Sequence, residues 1–98
     1  MGGVFGLVGR EPASVSEVVE GLHRLLHRGL DGVGVAALAD GELVITKFPK
    51  RSDEALREAA ELDLKAAVLV GHTRFATHGR MSVENTHPLL DCRQEIAV

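Results

Sequence analysis

The sequence predicts a layered α+β fold with a mostly antiparallel sheet. Three observations predict it. Strand-length apolar runs outnumber the helical patterns, and Asp40-Gly41 joins two of those runs as a tight hairpin. The order along the chain is strand, helix, hairpin, helix, strand, polar loop, strand. A doubly wound parallel sheet would alternate strands and helices throughout.

Each element has a local cause. Residues 3–8 (GVFGLV) read as a short buried strand. Residues 15–27 place Val15, Val18, Val19, Leu22, Leu25 and Leu26 at helical spacing, with Ser14 and Glu17 as a capping box and Gly29 as the stop. Residues 33–39 and 42–48 form the hairpin strands, and Pro49 ends the second. A second helix is expected from Asp53 to Leu62, capped by Ser52, with Ala55, Leu56, Ala59 and Leu62 inward. Residues 66–71 (AAVLVG) are apolar throughout, as a strand buried on both faces requires. A polar loop from Thr73 to Asp91 follows, long enough to expect a function for it. Residues 94–98 (QEIAV) read as a strand that has just begun, so the sheet is expected to be cut there with an open edge.

Composition bounds the function. The 98 residues make one domain or part of one, and 45% hydrophobic with 26% charged residues fits a folded chain. A net charge of -3, with scattered Lys and Arg, argues against nucleic acid as the main partner. No run of about 18 apolar residues or signal-peptide pattern occurs, so no membrane partner is expected. Cys92 is the only cysteine, which points to a reducing compartment and a cytoplasmic setting. His72, His78, His87 and Cys92 contain no tight ligand pair, and His23 and His27 lack a third ligand; neither a metal nor a cofactor is expected.

Two polar stretches carry the chemistry. HTRFATHGR (72–80) follows directly on a buried strand. Its Arg74 can hold a carboxylate in a two-pronged grip, and Thr77 and His78 can add hydrogen bonds. A polar loop whose Arg pairs with a structural carboxylate accounts for the same residues. HRGLDGVG (27–34) reads on its own as helix-end chemistry, with Arg28 in the last turn, Gly29 at the stop and Asp31-Gly32 as a turn. The opening MGGVFGLVG raises a separate question, since it starts an apolar strand on two glycines. Its spacing misses the dinucleotide and P-loop patterns, and Gly6 stands where myristoylation wants Ser or Thr.

Together these stretches resemble the glutaminase domain of class II glutamine amidotransferases, in the glucosamine-6-phosphate synthase branch. MGGVFGLVG resembles that family's opening, where a Cys follows the initiator Met. HRGLDGVG resembles its H/Y-R-G-x-D-x-x-G element. HTRFATHG and NTHP (85–88) resemble its H-T-R-[WF]-A-T-H-G and N-x-H-P elements. The amidophosphoribosyltransferase branch shares HRG and the early strand and stands as the alternative. The resemblance covers the chain in order and implies residues 1–98 as the N-terminal part of an N-terminal-nucleophile αββα sandwich, here truncated.

The resemblance also implies roles. The family's N-terminal thiolate attacks the glutamine side-chain amide and its own α-amino group serves as base, so ammonia leaves and passes to an acceptor domain. Arg74 would grip the glutamine α-carboxylate, Thr77 and His78 would line the pocket, and Phe75 would stand at its gate. Arg28 would brace the nucleophile's end, with His72 and His87 in support. Gly2 stands at the nucleophile's position and has no atom for attack. The oxyanion-forming H-N-G that follows EIAV in the family is not in the sequence. The expectation is therefore a glutaminase segment inactive alone. Its expected partners are glutamine and the remainder of the amidotransferase or another copy of the chain. A non-catalytic amino-acid-binding or regulatory module is the competing reading, as is a subunit completed by a partner chain.

Overall fold

The computed structural model describes residues 2–77 and 79–98. Four strands form one antiparallel sheet in the order β1-β4-β2-β3: β1 (Gly2–Ser14), β2 (Val33–Ala39), β3 (Glu42–Phe48) and β4 (Lys65–Arg74). Helices α1 (Val15–His23) and α2 (Ser52–Ala59) pack on one face of it. This is the α+β class that the hairpin and strand count predicted.

The hairpin turn forms as its residues dictate. Asp40 and Gly41 both take positive φ, 51° and 79°, the pairing a two-residue turn needs. The capping box also forms: the Ser14 hydroxyl accepts from Ser16 N at 3.2 Å, and Glu17 accepts from Ser14 N at 3.2 Å. Pro12 falls in the break of register between Val8 and Ala13, where its missing N–H removes no ladder bond.

Boundaries differ from the sequence expectation: β1 runs on past Val8 to Ser14, α2 stops at Ala59 rather than Leu62, and four further differences have identifiable contacts behind them. First, α1 ends at His23, and residues 26–28 tighten into a 3₁₀ turn. That turn presents the Leu25 carbonyl to the Thr73 hydroxyl at 3.5 Å. Gly29 is extended (φ -170°) rather than a left-handed stop, and a Cβ there would lie 2.6 Å from the Thr73 carbonyl oxygen. Second, Ser52 caps nothing. It is fully buried, donating to Gly32 O at 3.1 Å and accepting from Gly32 N at 3.3 Å, and α2 starts without a side-chain cap.

Third, β4 runs on to Arg74, so His72, Thr73 and Arg74 sit on a strand rather than in the loop. Fourth, residues 94–98 do not join the sheet. They make one bridge, Leu90 to Ala97, because the Asp91 carboxylate gathers the Glu95 and Ile96 N–H groups at 2.7 and 2.8 Å into a turn. Those bonds hold the exposed Asp91 carboxyl below its usual range.

Alternation on the strands sorts the two faces. Leu69, Val33, Val35 and Ala37 meet Val15, Val18, Leu22, Ala55 and Leu56 in the core between sheet and helices. The opposite face carries Val68, Val70 and His72. Over it crosses the His87–Pro88 segment, so close to Gly34 that a Cβ there would lie 1.8 Å from the His87 carbonyl oxygen. The β1 part of that face is open, with Val4 65% and Val8 80% exposed. Among the described residues no helix is long and apolar enough to cross a membrane.

Candidate active-site pocket

The end of β4 builds the site. Thr73, wholly buried, accepts from Gly3 N at 3.2 Å and so ties the start of β1 to the strand that carries the polar motif. The HRGLDG segment laces the same point. Arg74 N donates to Gly32 O, Asp31 N donates to Arg74 O, and the Asp31 carboxylate accepts from Ala76 N, each at 2.8 Å. Arg28 Nε donates to Gly2 O at 3.2 Å. The second motif is therefore more than a helix end: it clamps the strand terminus and the first loop residues.

A cavity of about 280 Å³ opens here. Gly2, His72, Arg74, Phe75, Thr77 and His87 all line it. Six of the eight residues singled out in the sequence thus converge. Arg28 stands just outside, bonded to Gly2, and His78 lies outside the described residues. Glu84, Asn85 and Leu89 also line the cavity and were not singled out, although Asn85 belongs to the NTHP run. The crossing of 87–88 over Gly34 and the His72–His87 ring contact bring that segment to the sheet, and spacing reveals neither.

Arg74 is 5% exposed and donates to Arg80 O at 2.7 Å and Gly79 O at 3.3 Å, so its guanidinium also shapes the loop that walls the cavity. Asn85 donates to the same Arg80 carbonyl at 3.1 Å. Lys47 reaches Val83 O at 3.3 Å and fastens the outer wall to β3, where desolvation lowers its pKa. The cavity thus has a cation and an amide at one end and the Glu84 carboxylate in its wall. Hydrogen bonds from its own backbone and from Ser82 hold that carboxylate below its usual range. Donors and an acceptor of this kind suit a zwitterion. Among the described residues, no three His, Cys, Asp or Glu side chains gather as a metal site.

The imidazoles of His72 and His87 pack with centroids 4.7 Å apart, and His72 Nδ1 is buried without a partner. Burial first, then the neighbouring His87, pushes the His72 pKa from 6.5 down to about 4. The folded chain therefore resists a proton that the unfolded chain accepts. Stability is complete above pH 6.5 and drains away as pH falls toward 4. Thermal melts from pH 7 to 4.5 are expected to show Tm falling across that window, and His72→Gln is expected to flatten the fall. Equal slopes in both proteins would overturn the assignment.

No protein-family model matches the chain. Curated relatives do. The glutamine–fructose-6-phosphate aminotransferase [isomerizing] of Pyrococcus horikoshii is 40% identical over 98 residues, and that of Aquifex aeolicus is 42% identical over 98. That of Aeropyrum pernix is 42% identical over 100 aligned positions. Over its whole length the chain is similar to the N-terminal part of glutamine–fructose-6-phosphate aminotransferases. Every alignment takes in 100% of the chain, which spans 16% of the length of these relatives and matches their N-terminal part.

Proposed function

We propose that the chain is the N-terminal part of a glutaminase domain and that, as it stands, it holds glutamine without hydrolysing it. One observation carries the reading: the cavity that contains Arg74 and Thr77 also contains the backbone of Gly2, the position of the family's nucleophile. In this reading Arg74 takes the α-carboxylate and Phe75 stands at the mouth. Glu84, in the cavity wall, offers a carboxylate to the α-ammonium. Aminotransfer to a sugar phosphate belongs to the proposal for the longer protein, as does a cytoplasmic setting, which rests on the lone Cys92.

Glycine supplies no nucleophile, and losing that group in comparable hydrolases costs several orders of magnitude in rate. Nor does the site simply await a thiol. A Cβ on Gly2 would lie 2.0 Å from the Thr73 carbonyl oxygen and 3.0 Å from the His72 ring, so any side chain there must move the end of β1 off β4. Ammonia release from L-glutamine is expected to stay at the blank rate for the chain and for Gly2→Cys alike. Release above the blank by the unaltered chain overturns the inactive reading. Calorimetric titration with L-glutamine tests the pocket itself: heat that Arg74→Ala abolishes supports it, and no heat at millimolar ligand refutes it.

A further inference from the structure

We propose that the groove between the 3₁₀ turn at 26–28 and the segment after β4 is a second binding site, for an aromatic anion. A cavity of about 460 Å³ lies there, lined by His27, Arg28, Phe75 and Thr77. Phe75 and Thr77 line the first cavity as well, so they form a shared wall. The proposal does not depend on what the first cavity binds.

Three observations carry it. Phe75 is one of three aromatic residues in the chain, and it is 51% exposed where it meets both cavities. An exposed ring in a concave setting marks a place for an apolar partner. Arg28 and His27 are exposed, and the ion pairs among the described residues are Lys50–Glu58 and Arg51–Asp53, neither of which touches them. The acid nearest in sequence, Asp31, is engaged with Ala76 N. Basic residues suit a helix C-terminus, which explains the sign of the charge. That rule does not explain why the charge borders a cavity floored by a half-exposed ring.

Each part of the ligand has a counterpart. An aromatic ring covers Phe75 and the stems of His27 and Arg28. An acidic substituent on that ring meets the guanidinium of Arg28, which lines the cavity and whose Nε donates to Gly2 O. A bare inorganic anion lacks the first contact and a neutral aromatic alcohol lacks the second.

Phenyl phosphate is the probe, titrated into the isotope-labelled chain and followed by amide shifts. Saturable shifts are expected at Arg28, Phe75 and Thr77. Inorganic phosphate and benzyl alcohol are each expected to bind about tenfold more weakly. Arg28→Gln and Phe75→Leu are each expected to weaken phenyl phosphate about five- to tenfold. Phe75→Leu keeps an apolar side chain at an exposed position, so it stays interpretable if Arg28→Gln, which loosens Gly2, fails to fold. Shifts that do not saturate, that fall elsewhere, or that survive Phe75→Leu unchanged overturn the proposal. L-Glutamine is expected to shift the shared Phe75 and Thr77 together with Asn85 and Leu89, which line the first cavity alone. Loss of those glutamine shifts alone would sink the glutamine pocket and leave this site standing.

Discussion

Gly34→Ala is expected to destabilise the chain by about 3 kcal/mol, the upper end of overpacking costs, and to open the wall of the cavity. The added Cβ would lie 1.8 Å from the His87 carbonyl oxygen and 2.7 Å from Pro88 Cδ. The first contact is backbone, which no rotamer change relieves, so the crossing segment must lift away from β2. His87 then leaves His72, and Leu89 and Asn85 lose their place in the pocket. Gly6→Ala is the matched control. It lies on the same face, and its Cβ meets only Leu69 O at 3.9 Å, so its effect is expected within about 0.5 kcal/mol. Urea unfolding of the two variants reads the difference. Equal midpoints would mean that the crossing does not seal the site.

The same contrast shows what was legible in the sequence. Asp40-Gly41 and Ser14-x-x-Glu17 were readable because each feature closes within four residues, where local geometry decides. The apolar runs were readable because burial imposes their period. Ser52 looked like a cap for the same local reason, yet its hydroxyl belongs to Gly32, twenty positions away. Gly29, Gly34 and Gly71 are small because backbone or side chains from elsewhere pass against them, and no spacing rule encodes that approach. The end of β4 was misjudged for a related reason. His72 and Arg74 are polar, but β1 and β2 pair with the strand out to that point, and those pairings outrank local polarity.

The pocket divides along the same line. Its polar residues on β4 and the adjoining loop announced themselves by composition. Its outer wall, with Glu84, Asn85 and Leu89, did not, because the loop returns to the sheet through contacts far apart in sequence, the crossing over Gly34 and the His72–His87 ring contact among them. The HRGLDG motif was legible as residues and opaque as architecture. Asp31 reads as a turn former, and its carboxylate instead pins Ala76 at the start of the loop that walls the cavity.

Leu22→Ala is expected to cost about 3–4 kcal/mol, a large share of the roughly 5–10 kcal/mol that holds a chain of this size. Leu22 is fully buried, and Gly71 is the flat place on β4 that receives it: a Cβ on Gly71 would lie 2.7 Å from Leu22 Cδ1. Truncating the side chain leaves a void directly beneath the strand that carries His72, Thr73 and Arg74. The helix end it anchors also supplies the Leu25 carbonyl to Thr73 and Arg28 to Gly2 O. The loss is therefore expected to reach the pocket, with faster amide exchange at Gly3 and Thr73 and a lower urea midpoint. Leu22→Met fills nearly the same volume and is expected to cost less than about 1.5 kcal/mol. If alanine and methionine shift the midpoint equally, α1 is not seated on β4 through Leu22, and the link from core to site fails with it.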